Sequence, residues 1–168
     1  MKITDVKVNQ LRPPEGTLSS FAGPQGRLIV QVHTDEGIVG AGEPYTIGPD
    51  EGVLGVIESI TPWFVGQDPS RIEWRLRRAR NNMRFPLGPV GWSALSGIDH
   101  ALWDIAGKVW DAPVWRLLGG RIHERIPCYC TGNDIEQHVE FGYTKLKLAL
   151  PHGPADGREG MRRNVALV

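Results

Sequence analysis

The residue types and spacings that could do chemistry lie near the C-terminal end of the sequence. In GYTKLKLAL, Gly142 to Leu150, the residues Lys145, Lys147 and Ala149 alternate onto one face of an extended segment, and Thr144, Leu146, Leu148 and Leu150 take the other. An ammonium is costly against an apolar layer, so the lysine face is expected to turn away from packed helices. Lys147 is nearer the C-terminal end of this strand and suits contact with a substrate carboxylate or hydroxyl. A polar layer paired with an acid is the plainer alternative. The following loop, Pro151 to Gly157 (PHGPADG), puts His152 just past the strand, where an imidazole would touch substrate or serve as a general acid. A solvated loop histidine is the alternative there.

Three irregular segments offer residues for a lid: Phe21 in PPEGTLSSFAGPQG (Pro13 to Gly26), Tyr45 in EPYTIGPD (Glu43 to Asp50), and Arg84 in NNMRFPLGPVG (Asn81 to Gly91). Arg84 could pair with an acid's carboxylate, or simply form a surface ion pair. Other apparent constellations carry less. Asp99 and Asp104 do not share a helical face, and Asp104 precedes Lys108 at the spacing of an ordinary helix pair. His33 and His100 fall in strand and helix patterns and read as structural. Cys128 and Cys130 would point to one face of a strand; they are expected to be reduced, partly buried thiols, without the His or Cys neighbours of a zinc site. The run Arg75, Arg77, Arg78, Arg80 has the spacing of a solvated face, and 19 basic against 19 acidic residues leave no net charge to attract nucleic acid or an acidic membrane. No run is long or apolar enough to span a bilayer, and MKITDVKV is no signal peptide, so a cytoplasmic protein is expected.

The elements that must position these groups run in order along the chain. Ile3 to Leu11, Arg27 to Thr34 and Ile38 to Tyr45 read as three strands of an antiparallel meander, with a turn at Asp35-Glu36-Gly37. Asp50 reads as the N-cap of a helix with Val53, Leu54, Val56, Ile57 and Ile60 on its apolar face. Ser70 and Glu73 read as a capping box for a charged helix through Arg80. Then comes the most informative stretch, ALSGIDHALWDIAGKVWDAPVWRLLGG from Ala94 to Gly120. Its stripe Leu95, Ile98, Leu102, Ile105, Val109 predicts a long core helix, its small residues Ala94, Ser96, Gly97, Ala101 and Ala106 invite close packing, and Pro113 ends it before a short turn from Val114 to Leu118. Beyond lie a strand at Arg125 to Thr131, a short helix from Asp134 to Glu140, the lysine strand, and a helix that Asp156 and Glu159 can cap.

The order Ala-x-Ser-Gly-Ile-Asp-x-Ala-Leu-x-Asp-Ile-x-Gly-Lys, then Pro-Val-x-x-Leu-Leu-Gly, resembles the mandelate racemase and muconate lactonizing enzyme group of the enolase superfamily. The resemblance implies an α+β capping domain (three-stranded antiparallel meander plus helices) over residues 1–120. It further implies the first strands and helices of an incomplete (β/α) TIM-type barrel over 121–168. A closed barrel requires roughly 250 residues, so a longer polypeptide is expected. In that group the loop equivalent to Pro13–Gly26 closes over the active site, and barrel active sites lie at the C-terminal ends of strands.

The group commonly carries Lys-x-Lys on the second barrel strand; counted from Gly142, the two places fall on Lys147 and Ala149, so the second lysine is missing. That disfavours two-base racemisation and favours a dehydration served by one base. Lys147 with the His152 loop, and Tyr129 to Arg163 more broadly, resemble the L-rhamnonate dehydratase branch of the acid sugar dehydratases. This second resemblance implies a lyase acting on a small sugar acid with Mg²⁺: the proton α to the carboxylate is removed, the enediolate forms, and loss of the β-hydroxyl gives a 2-keto-3-deoxy acid. The metal ligands are expected beyond Val168, and no residue of this sequence is assigned as one. A homo-oligomer is implied. Two alternatives stay open: a racemase or cycloisomerase of the same group, and a non-catalytic fragment that binds a partner or self-associates along an unpaired strand edge.

Overall fold

Alternation of apolar and polar residues makes Arg27–Thr34 a strand, β2, whose Leu28, Val30 and Val32 are fully buried. A computed structural model describes residues 1–12, 27–46, 50–84 and 87–166 and divides into two compact units, Met1–Arg121 and Ile122–Val168. The segment Pro13–Gly26, with Phe21, lies outside the described residues.

In the first unit β1 (Ile3–Leu11), β2 and β3 (Val39–Gly42) form an antiparallel sheet in the order β1-β2-β3. Simple alternation puts Ile3 and Val6 on opposite faces of β1, yet both are buried. The pairing slips between Ile3 and Asp5, and this bulge turns both side chains to the core. β3 is shorter than the expected Ile38–Tyr45.

Helix α1 (Asp50–Ile60) buries Val53, Ile57 and Ile60, and α2 (Ile72–Asn82) buries Ile72 and Ala79. Asp50 is the first residue of α1 rather than its N-cap, and burial raises its carboxyl above its ordinary value. The expected capping box at Ser70 is absent: the N-cap is Arg71, without a side-chain cap bond, and the Ser70 N–H donates to Asp68 Oδ1 at 2.8 Å. Hydrogen bonds from Ser70 hold the Asp68 carboxyl below its ordinary value. Nor is the arginine run wholly solvated. Arg75 is 8% exposed, its Nε donating to the Asp68 carbonyl at 3.4 Å and its guanidinium 4.6 Å from the Trp74 ring centre.

The long helix α3 runs Gly88–Val109 and starts ahead of Ala94 because Pro89 sits in its first turn, where a missing N–H costs nothing. Leu95, Ile98, Leu102 and Ile105 are buried as the stripe predicts, whereas Val109 is exposed. The small residues meet small residues on the strand: a Cβ on Gly40 would overlap the Ala101 carbonyl, and one on Gly42 the Gly97 carbonyl. Backbone therefore lies on backbone. Asp104 completes the junction, its Oδ2 accepting from the Ala41 N–H at 2.8 Å and from Lys108 Nζ at 2.7 Å, while Lys108 Nζ donates to the Val39 carbonyl at 2.6 Å. One helix pair thus satisfies the open edge of β3. The helix ends in a Schellman-type cap, with Asp111 at φ 46° and the Ala112 N–H donating to the Gly107 carbonyl at 3.0 Å, before a single turn, α4 (Val114–Leu117).

The second unit holds β4 (Cys130–Thr131), α5 (Ile135–Glu140), β5 (Leu146–Lys147) and α6 (Gly157–Ala166), with β4 and β5 parallel. Both strands are shorter than the expected Arg125–Thr131 and Gly142–Leu150. Both cysteines are free; Cys128 is exposed rather than partly buried. Among the described residues no helix is long and apolar enough to cross a membrane.

Candidate functional site

Lys147 is placed by the ends of α5. Asp134 opens the helix by accepting from the Gln137 N–H at 3.1 Å. Gly142, at φ 86°, closes it: its N–H donates to the Val139 carbonyl at 2.9 Å, and the Tyr143 N–H donates to the His138 carbonyl at 3.1 Å. This is a second Schellman cap, and its left-handed position favours glycine. The exit into β5 is fixed there. Thr131 stands opposite Lys147, and the Gly132 N–H donates to the Lys147 carbonyl at 3.1 Å. Directly paired residues of a parallel ladder share a face, so Thr131 and the exposed Lys147 occupy one face at the C-terminal ends of the two strands.

Past β5 the ladder stops and side chains take over. The Ala149 N–H donates to Asn133 Oδ1 at 2.9 Å, and Asn133 Nδ2 donates to the Ala149 carbonyl at 3.1 Å. The His152 N–H donates to Asn164 Oδ1 at 3.2 Å, and Asn164 Nδ2 donates to the His152 carbonyl at 2.7 Å. Asp156 Oδ2 accepts from the Gly153 N–H at 2.8 Å and stands 4.0 Å from His152 Nδ1. The end of β5 and the loop after it thus carry Lys147 opposite Thr131 and, five residues on, His152 facing the Asp156 carboxylate. Asn133 and Asn164 were not among the expected site residues. For Asn164 the available signal was an asparagine inside a helix, at a cost in propensity; Asn133 lies outside the helices.

Tyr45 and Arg84 belong to the first unit. Tyr45 is 67% exposed and walls a shallow depression of about 430 Å³ with Arg27, Glu43, Pro44, Ser96 and His100. Arg84 is exposed, just beyond α2, and is not on that wall. A second depression, about 280 Å³, opens between α2 and α3 among Glu73, Arg77, Arg80, Trp92 and Asp99. Burial raises the Asp99 carboxyl above its ordinary value, against His100 and the Trp103 hydrogen bond, and Asp99 Oδ1 has no hydrogen-bond partner among the described residues. A raised folded-state value gives stability present below the unfolded-state value and lost as pH rises through the folded one. Asp99→Asn is therefore expected to melt above wild type at pH 7, with the gap closing toward about pH 4. Paired thermal melts test this, and a gap independent of pH contradicts it.

Among the described residues no group of three or more His, Cys, Asp or Glu is placed to hold a metal ion. Among the described residues none is assigned to a Mg²⁺ site.

A meander sealed by one long helix, followed in sequence by a partial parallel sheet, defines an α+β capping domain and is consistent with the start of a barrel. Residues 2–119 match the mandelate racemase / muconate lactonizing enzyme N-terminal domain, and the chain belongs to that family. The D-galactonate dehydratase of Cronobacter sakazakii (strain ATCC BAA-894) is 38% identical over 133 residues, 77% of this chain and 34% of that protein. The solved structure of an enolase from Pantoea ananatis with bound D-gluconate and Mg is 33% identical, with a TM-score of 0.72 over 88% of this chain and 36% of that one. The magnesium complex of a mandelate racemase/muconate lactonizing protein from Paracoccus denitrificans PD1222 is 26% identical, with a TM-score of 0.77 over 92% of this chain and 43% of that one. The chain spans about a third, 34%, of the length of this curated relative.

Proposed function

We propose that this chain is the capping domain and barrel start of an acid sugar dehydratase, a hydro-lyase that converts an aldonic acid to a 2-keto-3-deoxy acid. The observation that carries the reading is Lys147 at the C-terminal end of β5, beside Thr131, with the His152 loop tied down immediately after it. Similarity to a D-galactonate dehydratase, and to an enolase holding D-gluconate, supports the substrate class.

In this reading Lys147 binds the carboxylate end of the substrate and offsets the negative charge that grows there as the C2 proton leaves. Thr131 donates a hydrogen bond to a substrate hydroxyl. His152 gives its proton to the departing C3 hydroxyl, so that water leaves and the resulting enol becomes the 2-keto-3-deoxy acid. The base that takes the C2 proton, and the ligands of the expected Mg²⁺, belong to residues outside this chain. Tyr45, Arg84 and Phe21 are assigned to substrate selection, and L-rhamnonate is the proposed substrate on the resemblance of Tyr129–Arg163.

The test is an assay of the intact polypeptide that bears this sequence, with Mg²⁺, on L-rhamnonate, D-galactonate and D-gluconate. Formation of a 2-keto-3-deoxy acid from at least one is expected, and none from all three overturns the proposal. A self-associating, non-catalytic module is the second reading, favoured by the exposed Ile122, Ile126, Phe141 and Val165 of the second unit. An intact mass near 18.6 kDa together with oligomers in solution supports that reading instead.

A further inference from the structure

We propose that Asn164 and Asn133 are positioning residues, whose amides grip the backbone at His152 and Ala149 and thereby hold the His152 imidazole in a fixed place beyond β5. The inference rests on the proposed role of His152 as the proton donor.

Residues 148–153 form neither strand nor helix, so their backbone groups need partners from elsewhere. A side-chain amide offers a donor and an acceptor with the spacing of a peptide group, and can replace a missing strand neighbour. Asn133 does this for Ala149, and Asn164 does it for His152, each with one bond given and one received. Asn164 is 3% exposed and is carried on α6, so water has little access to take over its role. Aspartate would lose the donor and leucine both functions.

The side chain of His152 is restrained as well. A Cβ on Gly160 of the same helix would come within 3.1 Å of His152 Cβ, and would overlap Asp156 Cβ. The histidine therefore sits against bare helix backbone, with the Asp156 carboxylate 4.0 Å from its Nδ1. Backbone and Cβ of His152 are held by two different residues of α6, Asn164 and Gly160. A histidine that merely points into solvent has no use for both restraints.

Hydrogen exchange and turnover in the intact polypeptide test the proposal together. In Asn164→Ala the His152 amide is expected to exchange about tenfold faster, the equivalent of one lost hydrogen bond. Asn164→Asp, which keeps the acceptor for that N–H, retains most of the protection. The exposed Asn133→Ala speeds exchange at Ala149 and keeps the test open if Asn164→Ala does not fold. Asn164→Ala also lowers kcat/KM about tenfold, yet costs nothing further once His152→Ala is present, because its effect passes through that ring. Unchanged exchange, or an equal rate loss with and without His152, overturns the proposal. Full turnover in Asn164→Ala beside a crippled His152→Ala sinks the positioning role alone, whereas full turnover in His152→Ala sinks the reading of His152 beneath it.

Discussion

Gly42→Ala is expected to unfold most of the first unit or lower its stability by about 3 kcal/mol or more. The added Cβ would overlap the Gly97 carbonyl and stand 2.8 Å from both the Ala101 nitrogen and His100 Cβ. Two of these are helix backbone atoms, which cannot rotate aside as a side chain would. Relief requires α3 to lift from β3, and that breaks the bonds Asp104 and Lys108 make to the strand edge. A loss of about 3 kcal/mol is a large share of the roughly 5–15 kcal/mol that holds a domain together. Gly55→Ala is the control: it sits inside α1, its Cβ would meet nothing within 4 Å, and the helix should gain about 0.5–1 kcal/mol. Urea midpoints for the two variants should move in opposite directions.

Lys147→Met is expected to lower kcat/KM about 10²–10³-fold in the intact polypeptide while leaving its melting temperature unchanged. Methionine keeps the length of the side chain and loses the charge. Since Lys147 is exposed in this structure, its replacement opens no cavity in the core. Lys147→Arg, which restores a cation, should recover part of the loss. Wild-type turnover in Lys147→Met would remove this residue from the site, and a drop in melting temperature to match the rate would make its role structural.

Much of the first unit could be read from periodicity, because one buried face leaves a regular trace in a strand or helix. The meander, the stripe on α3 and the ion pair Asp104–Lys108 all came from such spacing. What periodicity could not supply was the other half of each contact. The small residues of α3 announced a close approach, but only the fold shows that Gly40 and Gly42 receive it. The bulge in β1 turned Ile3 and Val6 to one side, and a single shifted pair carries no periodic signal. Arg75 defeated a reading by charge because a long side chain can be covered along its stem while its head finds a carbonyl. Pro89 looked like a loop residue because its cost depends on where in a helix it falls.

In the second unit, helix ends were easier to foresee than strands. Asp134 and Gly142 act locally, through their own backbone neighbourhood, so their roles follow from residue type. The Asn133 and Asn164 grips join residues distant in sequence, and nothing in the spacing marks them. Lys147 was accessible to sequence reasoning for the opposite reason: a charge in an apolar strand has to face somewhere unusual.

The proposed chemistry is elimination of water after loss of a single α proton, with Ala149 in place of a second lysine. Running the intact polypeptide with its sugar acid and Mg²⁺ in D₂O, and reading the products by proton NMR, separates this from its alternatives in one experiment. A 2-keto-3-deoxy acid carrying solvent deuterium at C3 is expected, together with unconverted substrate that keeps its C2 configuration. Substrate recovered with its C2 configuration inverted and deuterium at C2, and with no water lost, would mean a racemase and would contradict the proposal.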